Sequence, residues 1–357
     1  MRARWWHMEG GEVRCDLCPH RCLLPDGATG RCGARRNIGG EMISLTYGKV
    51  CVRNVDPIEK KPIFHYRPGS MVLSLGTFGC NLRCLNCQNA KLVNARVEDA
   101  ECTYMSPREV VDMAIGQGVQ GIAWTFNEPT VWAEFIIDTA RLAREHGLFT
   151  MVNTNGYILP PASAELFKAV QVANIDIKGF CEEFYREQCG GSLQEVLEAC
   201  AEARRQGAHV ELTCLLIPGM NDSSREVEEL VRWTVERMGC DTPLFLYRFR
   251  PFHLSAHIPE QTMERMEEAY CIGITAGLRY VYFGGTVGEC HQDTLCPSCG
   301  QVVVRRRSLQ VADKVCFKNG EMSRFCPTFA DINVNLDDGR CPSCGERIAI
   351  VPRDVPL

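Results

Sequence analysis

The stretch MVLSLGTFGCNLRCLNC, residues 71–87, decides the fold. Its first half is a short apolar run closed by Gly76, which reads as a buried strand. Its second half places Cys80, Cys84 and Cys87 in a tight loop straight after that strand. Further apolar runs bounded by turn residues follow at 121–126 (GIAWTF), 148–152 (LFTMV), 172–177 (VANIDI), 208–217 (AHVELTCLLI) and 243–249 (PLFLYRF). Helix-period segments separate them at 106–118, 130–146, 160–169, 193–206, 222–238 and 260–274. The first opens on SPRE, with Ser106 as N-cap, Pro107 at the first position and Glu109 at the third. Six strand–helix units in alternation predict an α/β protein with a parallel sheet, either an open doubly wound one or a full or partial barrel.

Polar residues recur where each strand ends. The second strand runs into Asn127-Glu128, the third into Asn153, Thr154 and Asn155, the fourth into Asp176 and Lys178, the fifth into Asn221 and Asp222, and the sixth into Arg248 and Arg250. In parallel α/β folds the loops after the strands gather at one rim, so six strands delivering polar residues there predict one shared site.

The spacing Cys80-x3-Cys84-x2-Cys87 supplies three thiolates and no nearby fourth ligand. A structural zinc site takes four protein ligands, whereas a cubane [4Fe–4S] cluster on three cysteines leaves one iron open to a small molecule. After the first strand of a parallel barrel, this loop resembles that of the radical S-adenosylmethionine (SAM) superfamily. The resemblance implies that the open iron binds the SAM amine and carboxylate, and that reductive cleavage of the sulfonium gives a 5′-deoxyadenosyl radical that abstracts hydrogen from substrate. It narrows through CDLCPHRC (15–22), GRC (30–32), YGK (47–49), DPIEKKPIFH (56–65), PGS (68–70), NEPT (127–130), TNG (154–156), DIK (176–178), IPG (217–219) and two CPSCG repeats. Together these resemble the radical SAM enzyme of the AmmeMemoRadiSam system, and the motifs are also similar to pyruvate formate-lyase activating enzymes, which make a glycyl radical in a partner protein.

The resemblance carries several residue roles. Cys80, Cys84 and Cys87 would hold the cluster. Asn127 and Glu128 match the motif that meets the SAM amino group, and a carboxylate suits an ammonium. Asn153, Asn155, Asp176 and Lys178 would also bind SAM. Asn153 stands where the activating enzymes carry an Asp, which counts against the cation those relatives use. Asn86 replaces the aromatic that usually precedes the third cysteine, and His253 is the candidate for a histidine expected near Phe245. The fold implied is a partial (β/α)6 TIM-like barrel at 69–287, between an N-terminal Cys-rich module (1–68) and a C-terminal zinc-ribbon-like module (288–357).

Those flanking modules rest on cysteine spacing. Cys296-x2-Cys299 and Cys341-x2-Cys344, each followed by a glycine that frees the turn, read as a zinc site. Cys15, Cys18, Cys22 and Cys32 would bind zinc or a second iron–sulfur cluster, with His20 able to replace one thiolate. Of the 22 cysteines, the other eleven (Cys51, Cys102, Cys181, Cys189, Cys200, Cys214, Cys240, Cys271, Cys290, Cys316, Cys326) read mostly as packing residues. Asp56, Glu59, Lys60, Lys61 and His65 form a polar patch, either a solvated connector or a substrate-facing surface. His146 reads as a helix cap.

Composition sets the outer bounds. At 357 residues, 45% apolar and net charge −5, the chain suits several packed domains rather than a nucleic-acid coat, which needs a basic face. No apolar run approaches the ~20 residues of a membrane span, and the opening MRARWWHMEGGEVRC has no signal-peptide core. The expectation is a cytoplasmic enzyme acting anaerobically on a small molecule or peptide. Its electron donor would be a flavodoxin or ferredoxin, and its partners Memo-type and AMMECR-type proteins. A glycyl-radical activase is the alternative, and an iron–sulfur electron carrier or scaffold is the rival of another class.

Overall fold

The computed structural model describes residues 1–284, 290–309 and 328–355. The expected boundary at 287/288, together with Cys316 and Cys326, lies outside them. The main sheet has eight strands in sequential order: β1 (Val52–Pro57), β2 (Met71–Gly76), β3 (Gly121–Trp124), β4 (Phe149–Thr154), β5 (Val172–Asp176), β6 (His209–Leu216), β7 (Leu244–Arg248) and β8 (Val281–Gly284). β2 to β8 are all parallel, while β1 lies antiparallel along β2, pairing Val52 with Gly76. The sheet therefore carries seven parallel strands where the periodicity predicted six. Its two outermost strands, β1 and β8, do not pair with each other among the described residues, as a partial barrel requires. β1 belongs to this sheet although it lies before residue 69.

Among the described residues, the longer helices between the strands are α1 (Pro107–Gly116), α2 (Ala133–Glu145), α3 (Ala162–Ala169), α4 (Leu193–Arg205), α5 (Ser224–Trp233) and α6 (Met263–Thr275). α1 starts as its sequence dictates. The Ser106 hydroxyl accepts from the Glu109 backbone N–H and the Glu109 carboxylate accepts from that of Ser106, satisfying two orphan donors at once. His146 is the C-cap of α2.

Strand alternation sends side chains to two different cores. Ile122, Trp124, Val152, Ala173, Ile175, Leu212, Leu244 and Leu246 join the large helix-side cluster. From the other face, Ala123, Phe149, Met151 and Val172 pack on Ile58, Ile63 and Tyr66. On that same face Phe245 and Tyr282 meet Phe64 and the C-terminal Cys296, Val303, Cys341 and Ile348. The segment 58–66 and the C-terminal module thus cover the face that the helices leave bare.

This corrects the solvated reading of the polar patch. Asp56, Glu59, Lys61 and His65 are all buried. Asp56 accepts from Lys60 Nζ at 2.9 Å and from Lys61 Nζ at 2.8 Å. His65 lies between the Tyr282 hydroxyl at 2.6 Å and the Ala349 carbonyl at 2.8 Å.

Small antiparallel pieces complete the chain. Trp6–Glu9, Glu12–Cys15 and Leu23–Leu24 form one sheet, Arg35–Ile38 and Glu41–Ser44 a hairpin, and Thr294–Leu295, Val302–Leu309 and Thr328–Val334 a third sheet. Cys51 and Cys102, counted among the scattered cysteines, are joined as a disulfide. Among the described residues no helix is long and apolar enough to cross a membrane.

Candidate active site

β2 ends at Gly76, and the chain turns at once through Thr77, Phe78 and Gly79 into Cys80. Asn127, after β3, clamps that turn: its Oδ1 accepts from the Thr77 N–H at 2.9 Å, and its Nδ2 donates to the Gly79 carbonyl at 3.1 Å. Glu128 is 3% exposed. Its Oε1 accepts from the Thr154 hydroxyl at 2.6 Å and the Thr130 N–H at 2.9 Å, and its Oε2 from the Asn155 N–H at 2.8 Å. Burial raises its pKa above the ordinary carboxylate range, against the pull of these donors. Both oxygens thereby brace the end of β4 and the loop after it.

Asn155 carries that brace to the thiols. Its Nδ2 donates to Asn81 Oδ1 at 3.0 Å and lies 3.7 Å from the Cys80 sulfur, and the Leu82 N–H points at the same sulfur from 3.4 Å. Backbone and amide donors aimed at a sulfur favour a ligated thiolate. Asn153 lies one residue deeper, donating to Asn174 Oδ1 at 3.0 Å.

Asp176 and Lys178, at the end of β5, form an ion pair at 2.6 Å. Burial alone would lower the Lys178 pKa; the Asp176 carboxylate and the Cys84 sulfur outweigh it and hold the ammonium above its ordinary value. Asn221 Nδ2 donates to the Lys178 carbonyl at 2.6 Å and fixes this turn from the loop after β6. The structure thus brings Cys80, Cys84, Cys87, Asn127, Glu128, Asn155, Asp176 and Lys178 to one rim.

Phe245 is buried on the opposite core, and His253 is exposed in a short turn after β7. Asn86, half-buried within the loop, leaves the aromatic position unfilled. Cys189, read as a packing residue, is a neighbour of Cys84: its thiol favours the Cys84 thiolate, whose pKa falls to about 7, while its own pKa rises. Arg83 and Leu85 N–H groups bond the Cys189 and Gln188 carbonyls at 2.7 and 3.1 Å, seating the loop on this turn. Its distance along the chain from Cys84 hid it from any spacing rule.

The C-terminal cysteines behave otherwise. The ligand atoms of Cys296, Cys299, Cys341 and Cys344 all lie within 4.8 Å of one another, the only such group among the described residues. The Cys296–Cys344 and Cys299–Cys341 sulfurs are 3.5 and 3.6 Å apart. Tetrahedral ligation at a metal–sulfur distance near 2.3 Å sets sulfurs about 3.8 Å apart. Gly300 and Gly345 take φ values of 75° and 76°, the left-handed turn each knuckle needs.

A parallel α/β sheet whose strand-end loops converge on three thiols defines a cofactor enzyme with its site at the carboxyl rim. Residues 75–234 match the model of the radical SAM superfamily, and the chain is an enzyme of that superfamily. An uncharacterised protein of Methanocaldococcus jannaschii is 38% identical over 96% of this chain and 97% of its own length. Pyruvate formate-lyase 1-activating enzyme of Escherichia coli is 24% identical over 44% of this chain and 65% of that protein. Among solved structures, a radical SAM methyltransferase from Sphaerobacter thermophilus is 17% identical, with a TM-score of 0.45 over 63% of this chain and 75% of that one.

The family implies a [4Fe–4S] cluster and SAM. The rim's donor set fits them: three thiols after β2, hydrogen-bond donors turned on Cys80, and no three ligand atoms drawn together as around a single ion. Cys189, a neighbour of Cys84, is placed to support that sulfur.

Proposed function

We propose that Cys80, Cys84 and Cys87 hold a [4Fe–4S] cluster at which SAM is bound and cleaved. When bound, the pair supplies one-electron cleavage of the sulfonium to methionine and a 5′-deoxyadenosyl radical that takes hydrogen from a substrate. The observation that carries this reading is the convergence on the three-thiol loop of the Asn155 amide, the Cys189 thiol and the Lys178 ammonium.

The remaining residues hold the site in place. Asn127 fixes the entry of the loop and Glu128 ties the loops after β3 and β4 together. Lys178, paired with Asp176, offers a cation suited to the SAM carboxylate; Asn153 lies below it. The four C-terminal cysteines would hold zinc as a structural ion. We read residues 1–68, 69–287 and 288–357 as three modules, with β1 lent to the sheet of the second.

The substrate is a small molecule or peptide, taken with Memo-type and AMMECR-type partners and a flavodoxin- or ferredoxin-type donor. Likeness to the activating enzymes reaches only 44% of this chain, whereas likeness to the archaeal relative reaches 96%. A match of 164 residues is too short to take in both cysteine-rich ends, which supports this reading over a glycyl-radical activase.

Anaerobically reconstituted full-length protein, once reduced, should convert SAM to 5′-deoxyadenosine and methionine, read by mass spectrometry. Cys84→Ala should lose both that product and the iron–sulfur absorption of the loop. Cluster-loaded wild type that leaves SAM intact would overturn the proposal. A glycyl-radical EPR doublet on an added partner chain would instead favour the activase.

A further inference from the structure

Four sulfurs outside the rim share one cavity. Cys15, Cys18, Cys22 and Cys32 line it together, with walls from Leu17, Leu24 and Val131. Cys15 ends a strand of the N-terminal sheet, Cys18 and Cys22 sit in the following turn, and Cys32 comes from the loop before Arg35–Ile38. Gly30 leaves room between them: a Cβ there would lie 3.9 Å from both the Cys22 and the Cys32 sulfurs.

Their spacing separates the two metals that could sit there. Around one zinc the sulfurs would stand about 3.8 Å apart, and the C-terminal knuckles of this same chain are drawn together that closely. No three of the N-terminal sulfurs lie within 4.8 Å of one another. They ring a space instead of closing on a point, and a polynuclear centre, whose thiolates ligate different irons, needs that wider ring.

A buried cation supplies the second observation. Arg35 is 1% exposed and lines the same cavity. Its terminal nitrogens bond the Arg4 carbonyl and the Glu134 carboxylate, but its Nε has no hydrogen-bond partner among the described residues. A buried N–H without an acceptor costs about 1–3 kcal/mol; a cluster sulfide or thiolate in the cavity would accept it, and the guanidinium would offset the cluster's negative charge.

We infer that Cys15, Cys18, Cys22 and Cys32 hold a second iron–sulfur cluster of the four-iron type, not zinc. Asn81 places it beside the rim. Asn81 lines the cavity, its carbonyl lies 2.7 Å from His20 Nε2, and its Oδ1 accepts from the Asn155 amide that also faces Cys80. The ligand assignment stands by itself; only the neighbour relation rests on the proposed function.

The test uses the full-length Cys80→Ala/Cys84→Ala/Cys87→Ala variant, purified and reconstituted without oxygen. It should retain about four irons and four sulfides per chain, with an EPR signal on reduction. Cys18→Ser/Cys32→Ser should lose that signal and keep the cluster of the loop. Reduced wild type should show the two signals broadened by each other, as neither variant does. An iron-free triple variant carrying about two zinc ions overturns the inference. If the Cys18→Ser/Cys32→Ser variant alone is iron-free, the proposed function fails and the second cluster stands.

Discussion

Cys189 changes what the rim needs. Its neighbouring thiol holds the Cys84 sulfur at about 7, and its own pKa is raised. Hydrogen bonds to ligand sulfurs raise an iron–sulfur potential, so Cys189→Ala should keep the cluster absorption and shift its midpoint potential downward in an EPR-monitored redox titration. Loss of iron would make Cys189 a ligand and fill the corner that SAM needs. The three loop cysteines were legible because their spacing is local. Cys189 was not, since only the turn that follows β5 brings it back. Glu128 was found by motif, but a sequence does not record that Thr130, Thr154 and Asn155 also bond its oxygens.

The capping box of α1 was readable for the opposite reason: Ser106, Pro107 and Glu109 act on each other within one turn. Ser106→Ala removes the acceptor for the Glu109 N–H and should cost about 1 kcal/mol, read as a lower urea midpoint with an unchanged slope. An unchanged midpoint would mean that tertiary packing alone holds the helix start. Buried parallel strands announce themselves as apolar runs, and β2 spans the residues 71–76 that its run predicted. β8 escaped notice because it has four residues and follows Arg279 and Tyr280 without a strong break. β1 reads VRNVDP, polar and partly exposed along an edge, and nothing local distinguishes it from a connector.

The polar patch before β2 was misread because its cover arrives from the far end of the chain. Burial lowers His65 from 6.5 to about 4, against the opposing pull of Glu211 and the Ala349 carbonyl. Arg306 and His209 add to the lowering. The folded pKa lies below the unfolded one, so the unfolded chain binds the proton first. Stability present above pH 6.5 is lost as pH falls toward about 4, by up to about 3 kcal/mol. Urea unfolding across that window should show the loss in wild type and a flatter profile in His65→Gln. Parallel profiles would place the acid sensitivity elsewhere.

The Val351 N–H bonds the His65 carbonyl and the Arg67 N–H bonds that of Val351, while the ring of His65 reaches Ala349, 284 positions away. On a translating ribosome, then, Phe64 and His65 emerge early and wait uncovered until residues 349–351 have been made. A chain released by a premature stop would present this greasy underside to chaperones and proteases even with its three-thiol rim fully formed.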